Sequence, residues 1–512
     1  MLAKTFGSAV YGVDAHIITI EVNVSPGTKF FMVGLPDSAV KESEQRVESA
    51  LKQNGFLMPR QKVIVNLAPA DIKKEGSAYD LPLAIGILAA SGQGDFENLD
   101  ESVIMGELAL DGMVRPIKGA LPIAIEARKK GFKQLIIPTE NASEAGIVDN
   151  LNVVGVESLQ QAVEHLTGEK VIPAVDYDTR DLFQTHQNEY DADFANVQGQ
   201  ENIKRSLEIA AAGGHNVIMI GPPGAGKTML AKRLPSVLPP LTLNESLETT
   251  KIHSVAGVLK ENSSLIASRP FRSPHHTISD VALVGGGGIP QPGEISLANN
   301  GVLFLDELPE FKRTVLEVMR QPLEERKVTI SRAKISIDFP ANFMLIASMN
   351  PCPCGFYNHP EKECVCAPGI VQKYLNKVSG PLLDRIDLHV EVTPVSFDQL
   401  TEDRKAESSD TIRERVIQAR LIQSERFKEH PEIFNNAMMN SQMVKSICQI
   451  NEAGKNLLKT AMEKLGLSAR AYDRILKVSR TIADLAGKED IQIEHLAEAI
   501  QYRSLDREGW AS

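Results

Sequence analysis

HNVIMIGPPGAGKTMLAK, residues 215–232, is the stretch that decides the predicted fold. Asn216–Ile220 is a short apolar run with the length and composition of a buried strand. Residues 221–228 then fit the pattern G-x-x-x-x-G-K-[ST], and an amphipathic helix follows. A chance match on an ordinary strand, turn and helix is the alternative. Because a strand precedes the motif and a helix follows it, the stretch predicts a phosphate-binding loop in an α/β domain.

The residue types of this loop suit a nucleoside triphosphate bound with magnesium. Glycines let the backbone turn so that its N–H groups point at phosphate oxygens, and the helix N-terminus adds a favourable dipole. Lys227 supplies positive charge to the β- and γ-phosphates, and the Thr228 hydroxyl ligates Mg²⁺. The residues predicted to bind ATP and Mg²⁺ are Gly221, Pro222, Pro223, Gly224, Ala225, Gly226, Lys227, Thr228 and Asp306.

A second nucleotide-binding motif ends the run Gly301–Glu307, which is typical of a buried strand followed by two carboxylates. Asp306 is predicted to hold the magnesium ion. Glu307 is predicted to polarise the attacking water, because in-line displacement at the γ-phosphate needs an oriented nucleophile. Phe343–Ser348 is the next predicted strand, after which the carboxamide of Asn350 is placed to orient that water. Two acids that merely cap a strand are the alternative.

Length and composition limit the class of protein. A chain of 512 residues exceeds one ordinary core, which predicts about two to four domains. No apolar run approaches the ~20 residues of a membrane span, and the N-terminal sequence lacks a signal-peptide pattern, so we expect a cytoplasmic protein without membrane contact. The net charge of −11 argues against a surface that coats nucleic acid, but not against a local basic site such as a central pore.

Cysteines and histidines supply the candidate metal ligands. Four of the five cysteines form two C-x-C pairs with nine residues between the pairs: Cys352, Cys354, Cys364 and Cys366. Four thiolates suffice for a closed tetrahedral zinc site, so structural Zn²⁺ is predicted, with a disulfide or free thiols as alternatives. His359, inside the loop, is a candidate replacement ligand, and Cys448 lies apart. His275 and His276 are also candidate ligands, but their basic, proline-containing loop favours a surface or partner contact.

Residues 1 to about 170 are predicted to form an α/β domain of alternating strands and helices. Three of its segments resemble the proteolytic domain of Lon proteases: Lys74–Asp80, Gly106–Leu108 and Val114–Gly119. That family uses a Ser–Lys dyad, but the matching positions are Ala78 and, near the lysine position, Ile123. Neither side chain can attack or take a proton, so the resemblance implies a retained fold without protease chemistry. A rearranged dyad of Ser77 and Lys118 is the alternative.

The segment Val328–Ile337, VTISRAKISI, alternates like two short strands around a charged tip. It resembles the hairpin before the sensor strand in the magnesium-chelatase and minichromosome-maintenance branch of AAA+ proteins, where the hairpin faces the pore of a ring. The resemblance implies that Arg332 and Lys334 contact DNA phosphates. A charged hairpin tip that faces water is the alternative.

Arginines in the C-terminal half resemble residues that act on nucleotide in AAA+ ATPases. Arg385, in LLDRID, matches the arginine that reaches the γ-phosphate of the neighbouring subunit and neutralises charge during transfer. A salt bridge with Asp384 or Asp387 is the alternative. Arg470, at the start of a long predicted helix, matches the arginine of the AAA+ lid that touches the nucleotide, and Arg474 is the second candidate.

The order of these parts resembles the ComM/YifB family of magnesium-chelatase-like AAA+ ATPases almost from end to end. Val197–Gln200, ahead of a helix, resembles the segment that packs on adenine in AAA+ proteins. The predicted fold is α/β and multidomain, with a parallel-sheet P-loop ATPase core. Its predicted parts are a Lon-protease-like (S5 domain 2-like) domain without proteolytic activity at 1–170, a linker at 171–193, the AAA+ core at 194–393 with a cysteine-rich insert at 352–366, and a helical lid of magnesium chelatase C-terminal type at 394–512.

The family resemblance implies an ATP-driven homo-hexameric ring that translocates DNA. Family members in naturally transformable bacteria are regarded as branch-migration helicases that help integrate incoming single-stranded DNA by homologous recombination. Hydrolysis is predicted from the residues above, whereas the DNA role rests on the resemblance. Two alternatives stay open. One is a chelatase-type motor that remodels proteins, consistent with the acidic net charge, and the other is an ATP-dependent protease, for which the nucleophile is missing.

Overall fold

The structure is a computed structural model that describes residues 1–96, 98–175, 183, 190, 192–259, 265–287, 290–332, 335–357, 359, 361–394 and 406–503. Lys334, one of the two residues predicted to contact DNA, lies outside the described residues. Arg332 ends a described strand, but its side chain is not described. The predicted linker at 171–193 lies partly outside the described residues as well.

The bounds of the secondary-structure elements follow in chain order. The strands are β1 Leu2–Tyr11, β2 Asp14–Ser25, β3 Phe30–Val33, β4 Lys62–Ala68, β5 Ser102–Ile104, β6 Glu107–Leu108, β7 Val114–Arg115, β8 Gln134–Pro138, β9 Asn152–Val156, β10 Val217–Ile220, β11 Phe271–Arg272, β12 Gly285–Gly286, β13 Gln291–Pro292, β14 Val302–Leu305, β15 Lys327–Arg332, β16 Ile335–Pro340, β17 Met344–Met349 and β18 Leu388–Glu391. The helices are α1 Ser38–Lys41, α2 Ser43–Gln53, α3 Asp80–Ser91, α4 Ala120–Lys129, α5 Thr139–Ala145, α6 Leu159–Leu166, α7 Glu201–Gly213, α8 Lys227–Val237, α9 Leu243–Ala256, α10 Asp280–Val284, α11 Glu294–Leu297, α12 Arg313–Val318, α13 Arg320–Glu325, α14 Pro368–Leu375, α15 Gly380–Leu383, α16 Ser409–Arg426, α17 Ser441–Ile447, α18 Glu452–Leu465, α19 Ala469–Leu485 and α20 Ile493–Gln501.

The N-terminal part is built on a mixed sheet with strand order β3-β4-β2-β1-β5-β8-β9. The sequence pattern does not predict α5, β9 and α6, nor the first strand, β1. Its centre, Gly7-Ser8-Ala9, has poor strand propensity, but β1 pairs antiparallel with β2 from Leu2↔Asn23 to Tyr11↔Asp14. Pairing with a neighbour therefore outweighs local preference.

Helix formation after β3 also differs from the sequence pattern, which predicts one helix over Ser38–Asn54 with Ser38 as its N-cap. Asp37 is the cap instead, because its Oδ1 accepts the N–H of Val40 at 2.8 Å. The helix is interrupted at Glu42, which ends α1 and precedes α2. A carboxylate thus replaces the hydroxyl in the predicted capping role.

The predicted ATPase core at 194–393, here named the ATPase part, has a five-stranded sheet with order β11-β14-β17-β10-β18, and every neighbouring pair is parallel. Its three central strands are wholly buried, which explains their continuous apolar sequences. The carboxyl ends of β10, β14 and β17 therefore meet at one edge of the sheet. Residues that follow these strands, including the phosphate loop, are brought together there.

The C-terminal helices pack on the ATPase sheet through one continuous apolar cluster. That cluster joins Leu207 of α7 and Val217 of β10 to Ile412 of α16 and Ile482 of α19. Gln423 of α16 adds a side-chain hydrogen bond to the carbonyl of Ala212 at 3.1 Å. Within the described ranges, no helix is both long and apolar enough to cross a bilayer.

The N-terminal part touches the ATPase part at the end of helix α9. The Gly119 N–H donates to the carbonyl of Ser254 at 3.2 Å, and Lys251 lies 3.7 Å from a carboxylate oxygen of Asp14. A Cβ at Gly257 would lie 2.7 Å from Cε of Lys118, so this lysine runs along the ATPase surface. The two parts are thus joined by backbone, ionic and packing contacts.

Asp80 fixes the position of the buried helix α3, and its loss should destabilise the N-terminal part. Its fully buried carboxylate accepts from Arg46 Nε at 2.6 Å, from Ser43 Oγ at 2.5 Å and from the Leu108 N–H at 3.2 Å. Asp80→Ala would leave the Arg46 charge without its partner, which costs about 3–5 kcal/mol. Hydrogen exchange in α3 should measure that loss, whereas the exposed Asp100→Ala should change exchange little. Equal exchange in both variants would contradict this assignment.

Candidate functional site

The phosphate loop has the backbone conformation that its glycines were predicted to supply. Gly224 and Gly226 have φ values of +79° and +82°, in the left-handed region that other residues avoid. At Gly221 a Cβ would lie 2.2 Å from the carbonyl oxygen of Val392, so only glycine fits against the residue that follows β18. Helix α8 begins directly at Lys227, which places the loop at a helix N-terminus.

Lys227 lies where the loop meets the end of β17. Its ammonium donates to the carbonyls of Gly221 at 2.7 Å and Pro222 at 3.0 Å, and to Oδ1 of Asn350 at 3.1 Å. Burial lowers the pKa of Lys227, and the nearby Asp306 and Glu307 carboxylates oppose that change. Lys227, predicted to bind phosphate, and Asn350, predicted to orient water, are therefore in direct contact.

Asp306 joins the end of β14 to the start of helix α8. Its Oδ2 accepts from the Thr228 hydroxyl at 2.8 Å, and its Oδ1 accepts from the Glu307 N–H at 3.1 Å and from the Ser348 hydroxyl. A hydroxyl and a carboxylate side by side form a hard-oxygen pair of the kind that Mg²⁺ prefers. Ser348 was missed from sequence, although a lone hydroxyl inside the buried apolar strand MLIASM is the signal that marks it.

Glu307 is held in an uncommon backbone conformation beside a histidine. Its φ is +55°, and its carboxylate is 56% exposed at the open edge of the sheet. His276 Nδ1 lies 3.5 Å from the Glu307 carboxylate, and the ring centroids of His275 and His276 are 4.1 Å apart. The histidine loop, for which sequence favours a surface or partner contact, therefore faces the predicted catalytic carboxylate.

Gln200 ties the segment before helix α7 to the phosphate loop. Its Nε2 donates to the carbonyl of Ala225 at 2.9 Å and to that of Thr393 at 3.3 Å. Val197, in the same segment, is buried in the ATPase core. The segment that resembles the adenine-packing region thus lies directly against the loop.

The four clustered cysteines converge as predicted. Their ligand atoms all lie within 4.8 Å of one another, and Cys352 Sγ is 3.3 Å from Cys354 Sγ and 3.7 Å from Cys364 Sγ. A tetrahedral ion with Zn–S bonds of about 2.3 Å needs sulfur atoms about 3.8 Å apart, so the set fits zinc. The disulfide alternative is wrong, because all five cysteines are free. His359 stands outside the set, with its Nδ1 accepting the N–H groups of Glu361 and Lys362 at 3.1 Å.

The cysteine insert packs against the phosphate loop itself. A Cβ at Gly355 would lie 2.4 Å from Cδ of Pro223, so the insert approaches the loop at van der Waals distance. Cys352 follows Asn350 by two residues, and its side chain is fully buried. The cluster therefore supports the segment that carries Asn350, which sequence reasoning did not predict.

The predicted arginines lie together on the side of the core that faces helix α19. Arg385 is only 7% exposed and pairs with Glu324, not with Asp384 or Asp387 as the sequence alternative supposes. Arg470, with a 66% exposed side chain, lies 3.3 Å from Asp384. Arg474 donates to the carbonyl of Asp384 at 2.8 Å and binds the buried Asp387. The structure therefore brings Arg385 and both lid candidates to the 384–387 segment, not to the phosphate loop.

In the Lon-like segments, the described contacts of Ser77 and Lys118 do not join these two side chains to each other. Ser77 donates its hydroxyl to Glu107, a carboxylate that also lies 3.4 Å from Arg115. Lys118 instead lies against Gly257 of the ATPase part. Ile123, at the lysine position of the motif, is 1% exposed in the core. The contacts of Ser77 and Lys118 therefore do not support a rearranged dyad.

Three models of known protein families match most of the chain. The family models described as "Magnesium chelatase, subunit ChlI", "Subunit ChlI of Mg-chelatase" and "Magnesium chelatase, subunit ChlI C-terminal" match residues 193–400, 20–141 and 406–503, respectively. "Lon protease 2" of Bacillus subtilis is 30% identical over 179 residues, which cover 31% of this chain and 32% of that protein. The Lon-like similarity is thus partial.

Several relatives match over nearly their full length, two of them from Haemophilus influenzae and Escherichia coli. "Competence protein ComM" of Haemophilus influenzae is 47% identical over 510 residues, covering 99% of this chain and 98% of that protein. "Uncharacterized protein YifB" of Escherichia coli is 44% identical over 504 residues, covering 98% of this chain and 96% of that protein. Together with the loop, the parallel sheet and the family models, these matches show that the chain belongs to the ComM/YifB family of magnesium-chelatase-like AAA+ ATPases.

Proposed function

We propose that this chain is an ATP-driven ring motor that moves along DNA and catalyses branch migration during recombination of incoming DNA. The observation that carries the ATPase half is the meeting of Lys227, Thr228, Asp306 and Asn350 at one sheet edge. The DNA half is supported by the full-length similarity to a relative named as a competence protein. Family membership supports an oligomeric ring, for which we propose a homo-hexamer.

Each residue at the edge has one task in the proposed hydrolysis. The loop amides and Lys227 bind the phosphates, and Thr228 and Asp306 would hold the Mg²⁺ that neutralises charge on the transferred group. Glu307 accepts the proton of the attacking water, whose oxygen forms the new bond to the γ-phosphorus while the bond to the bridging β,γ-oxygen breaks. Asn350, already hydrogen-bonded to Lys227, orients that water beside the γ-phosphate.

The proposed DNA contact is the β15–β16 hairpin. Its strands pair antiparallel from Lys327↔Pro340 to Arg332↔Ile335. A chain with a net charge of −11 needs a local basic element to bind a polyanion. Arg332 and Lys334 supply such an element when several subunits present the hairpin to one pore.

ATPase assays with and without DNA test the proposed motor. The full-length chain should hydrolyse ATP faster with forked or single-stranded DNA, and Arg332→Ala with Lys334→Ala should abolish the stimulation but keep basal hydrolysis. Lys327→Ala is the matched control, because Lys327 is a solvent-exposed lysine at the base of the same hairpin.

Glu307→Gln and Lys227→Ala should each lower the rate of ATP hydrolysis about a thousandfold. Lys232→Ala is the control for these variants, because Lys232 lies on the outside of helix α8 and its loss should leave the rate unchanged.

The outcomes separate the candidate functions. Hydrolysis that is indifferent to every DNA tested would favour the chelatase-type protein-remodelling motor. Degradation of casein that Ser77→Ala abolishes would revive the ATP-dependent protease. Normal hydrolysis by Glu307→Gln would refute the assignment of that residue as the base.

Arg385 is proposed to act on the nucleotide of the neighbouring subunit, after leaving Glu324. Arg385→Ala should lower the maximal rate about a thousandfold while nucleotide binding stays within a few-fold. Arg320→Ala is the matched control, because Arg320 lies in helix α13, pairs with Glu317 and has a partly exposed side chain. Fluorescent-nucleotide titration and steady-state kinetics give the two readouts, and loss of binding in Arg385→Ala would contradict the interface role.

Mixed rings sharpen that test. A subunit with Arg385→Ala keeps its own phosphate loop and Glu307. A neighbouring subunit with Glu307→Gln keeps Arg385. Mixing the two inactive variants should therefore restore part of the activity if Arg385 acts between subunits, and none if it acts within one. Arg470 of the lid is proposed to touch the nucleotide, with Arg474 as the second candidate, and both bind the segment that carries Arg385.

We propose that the four cysteines bind one structural Zn²⁺ that holds the Asn350 segment against the loop. Purified protein should contain about one zinc per chain by atomic emission, and Cys354→Ser should lose it, because four thiolates close the site. Cys448→Ala, which changes a buried cysteine outside the cluster, should retain the metal. Full zinc content in Cys354→Ser would contradict the assignment.

A further inference from the structure

A cavity of about 380 Å³ lies on the edge of the ATPase sheet opposite the phosphate loop. Its walls include Gly214, Gly301 and Met344, which precede or begin strands β10, β14 and β17. Helix α16 of the C-terminal part closes it through Ile417, Arg420 and Leu421, so the cavity spans the junction between core and lid. Its volume falls in the range of small-molecule sites.

Three arginines line this cavity, and their donors are satisfied mostly by uncharged carbonyl oxygens. Arg269 donates to the carbonyls of Asn300 at 2.6 Å and Pro240 at 3.3 Å. Arg326 donates to the carbonyl of Phe343 at 2.9 Å, and Arg420 to that of Ala211 at 2.9 Å. A carbonyl accepts a hydrogen bond but cannot neutralise a guanidinium, so the positive charge remains.

The carboxylates near the cavity do not balance these charges. Glu245 is the one carboxylate among the described lining residues, and it lies 3.4 Å from Arg269. The Asp387 carboxylate, outside the lining, opposes the lowering of the pKa of Arg326 by burial. It is already bound by Arg474 and by the Asn216 N–H, the latter at 3.0 Å. The described lining therefore carries three guanidinium groups and one carboxylate, an excess of positive charge around a partly open cavity.

Burial makes that excess unfavourable. It lowers the pKa of Arg420 to about 9, with the Arg269 charge adding to the effect and Glu245 opposing it. Burial also lowers the pKa of Arg326. A bound anion would relieve both guanidinium groups, and charge-assisted hydrogen bonds to it would be stronger than those to the carbonyls.

The remaining wall is apolar and aromatic. Phe343 and Met344 belong to the lining but are themselves buried, and Phe434 and Leu421 stand at the mouth with 58% and 57% of their surface exposed. Asn435 Oδ1, also in the lining, is a buried acceptor that has no hydrogen-bond partner. A ligand that suits this wall has an apolar ring, a donor for Asn435 and an anionic group for the arginines.

We propose that this cavity is a second ligand site, for an aromatic anion of mononucleotide size, distinct from the ATP site at the opposite sheet edge. The ring lies against Phe434 and Leu421, and the anionic group lies against Arg326 and Arg420. Because Arg420 belongs to the lid and Arg326 to the core, an occupied site clamps the two parts together. The proposal does not depend on whether the chain acts on DNA.

Fluorescence titration of the full-length chain with anilinonaphthalene sulfonate tests this site, since that dye combines an aromatic body with an anionic group. We expect saturable binding of one dye per chain, weakened at least about tenfold by Arg420→Gln and little changed by Arg420→Lys. Arg413→Gln is the matched control, because Arg413 lies on the same helix outside the cavity and pairs with Asp410. Leu421→Trp, which fills the mouth without removing charge, should also weaken binding.

A competition arm identifies the source of the anion. It uses the Lys227→Ala background, in which the phosphate loop is disabled, and adds deoxyadenosine monophosphate. Displacement of the dye supports a nucleotide ligand, and dye binding without displacement supports another aromatic anion at the same site. Absence of saturable binding, or binding that both Arg420→Gln and Leu421→Trp leave unchanged, would overturn the proposal. Because Leu421 is exposed, its variant stays informative if Arg420→Gln fails to fold.

Discussion

The hydrogen bond between the Thr228 hydroxyl and the Asp306 carboxylate is the contact on which the rest of the site depends. It joins the helix after the phosphate loop to the end of β14, across the intervening strand β17. Because β17 lies between β10 and β14, Ser348 can hold the other oxygen of Asp306 and Asn350 can meet Lys227. The parallel sheet thus converts three separate strand ends into one polar cluster on an apolar base.

The cysteine insert is built around that cluster, whereas the C-terminal helices bind a segment on the other side of the sheet. The cysteine insert follows Asn350 directly and packs Gly355 on Pro223, which supports the loop from the side. The C-terminal helices bind the 384–387 segment through Arg470 and Arg474, and that segment carries Arg385. A change in the lid can therefore reach Arg385 through ionic contacts. The arginine-lined cavity lies at the opposite sheet edge, where the same lid meets the core.

Much of the ATPase core could be predicted from sequence because its signals are local. A buried strand, a glycine loop and a helix are adjacent in the chain, and so are β14 and its two carboxylates. The C-x-C pairs likewise predict that the thiols converge. Strand β1 and the capping role of Asp37 could not be predicted in this way. One depends on pairing with β2, and the other on which side chain reaches the Val40 N–H.

By itself, the sequence determined the prediction of a phosphate-binding loop, the residues predicted to supply its charge and hydroxyl, and the presence of Ala78 at the nucleophile position of the Lon motif, because these depend on residue type at short spacing. Only the tertiary structure decided that His276 faces Glu307, that Glu324 holds Arg385, and that Arg420 and Arg326 share a cavity. Those contacts join residues 31, 61 and 94 positions apart. Chain folding, which no local pattern encodes, brings their side chains together because the sheet and the lid bury a common apolar core.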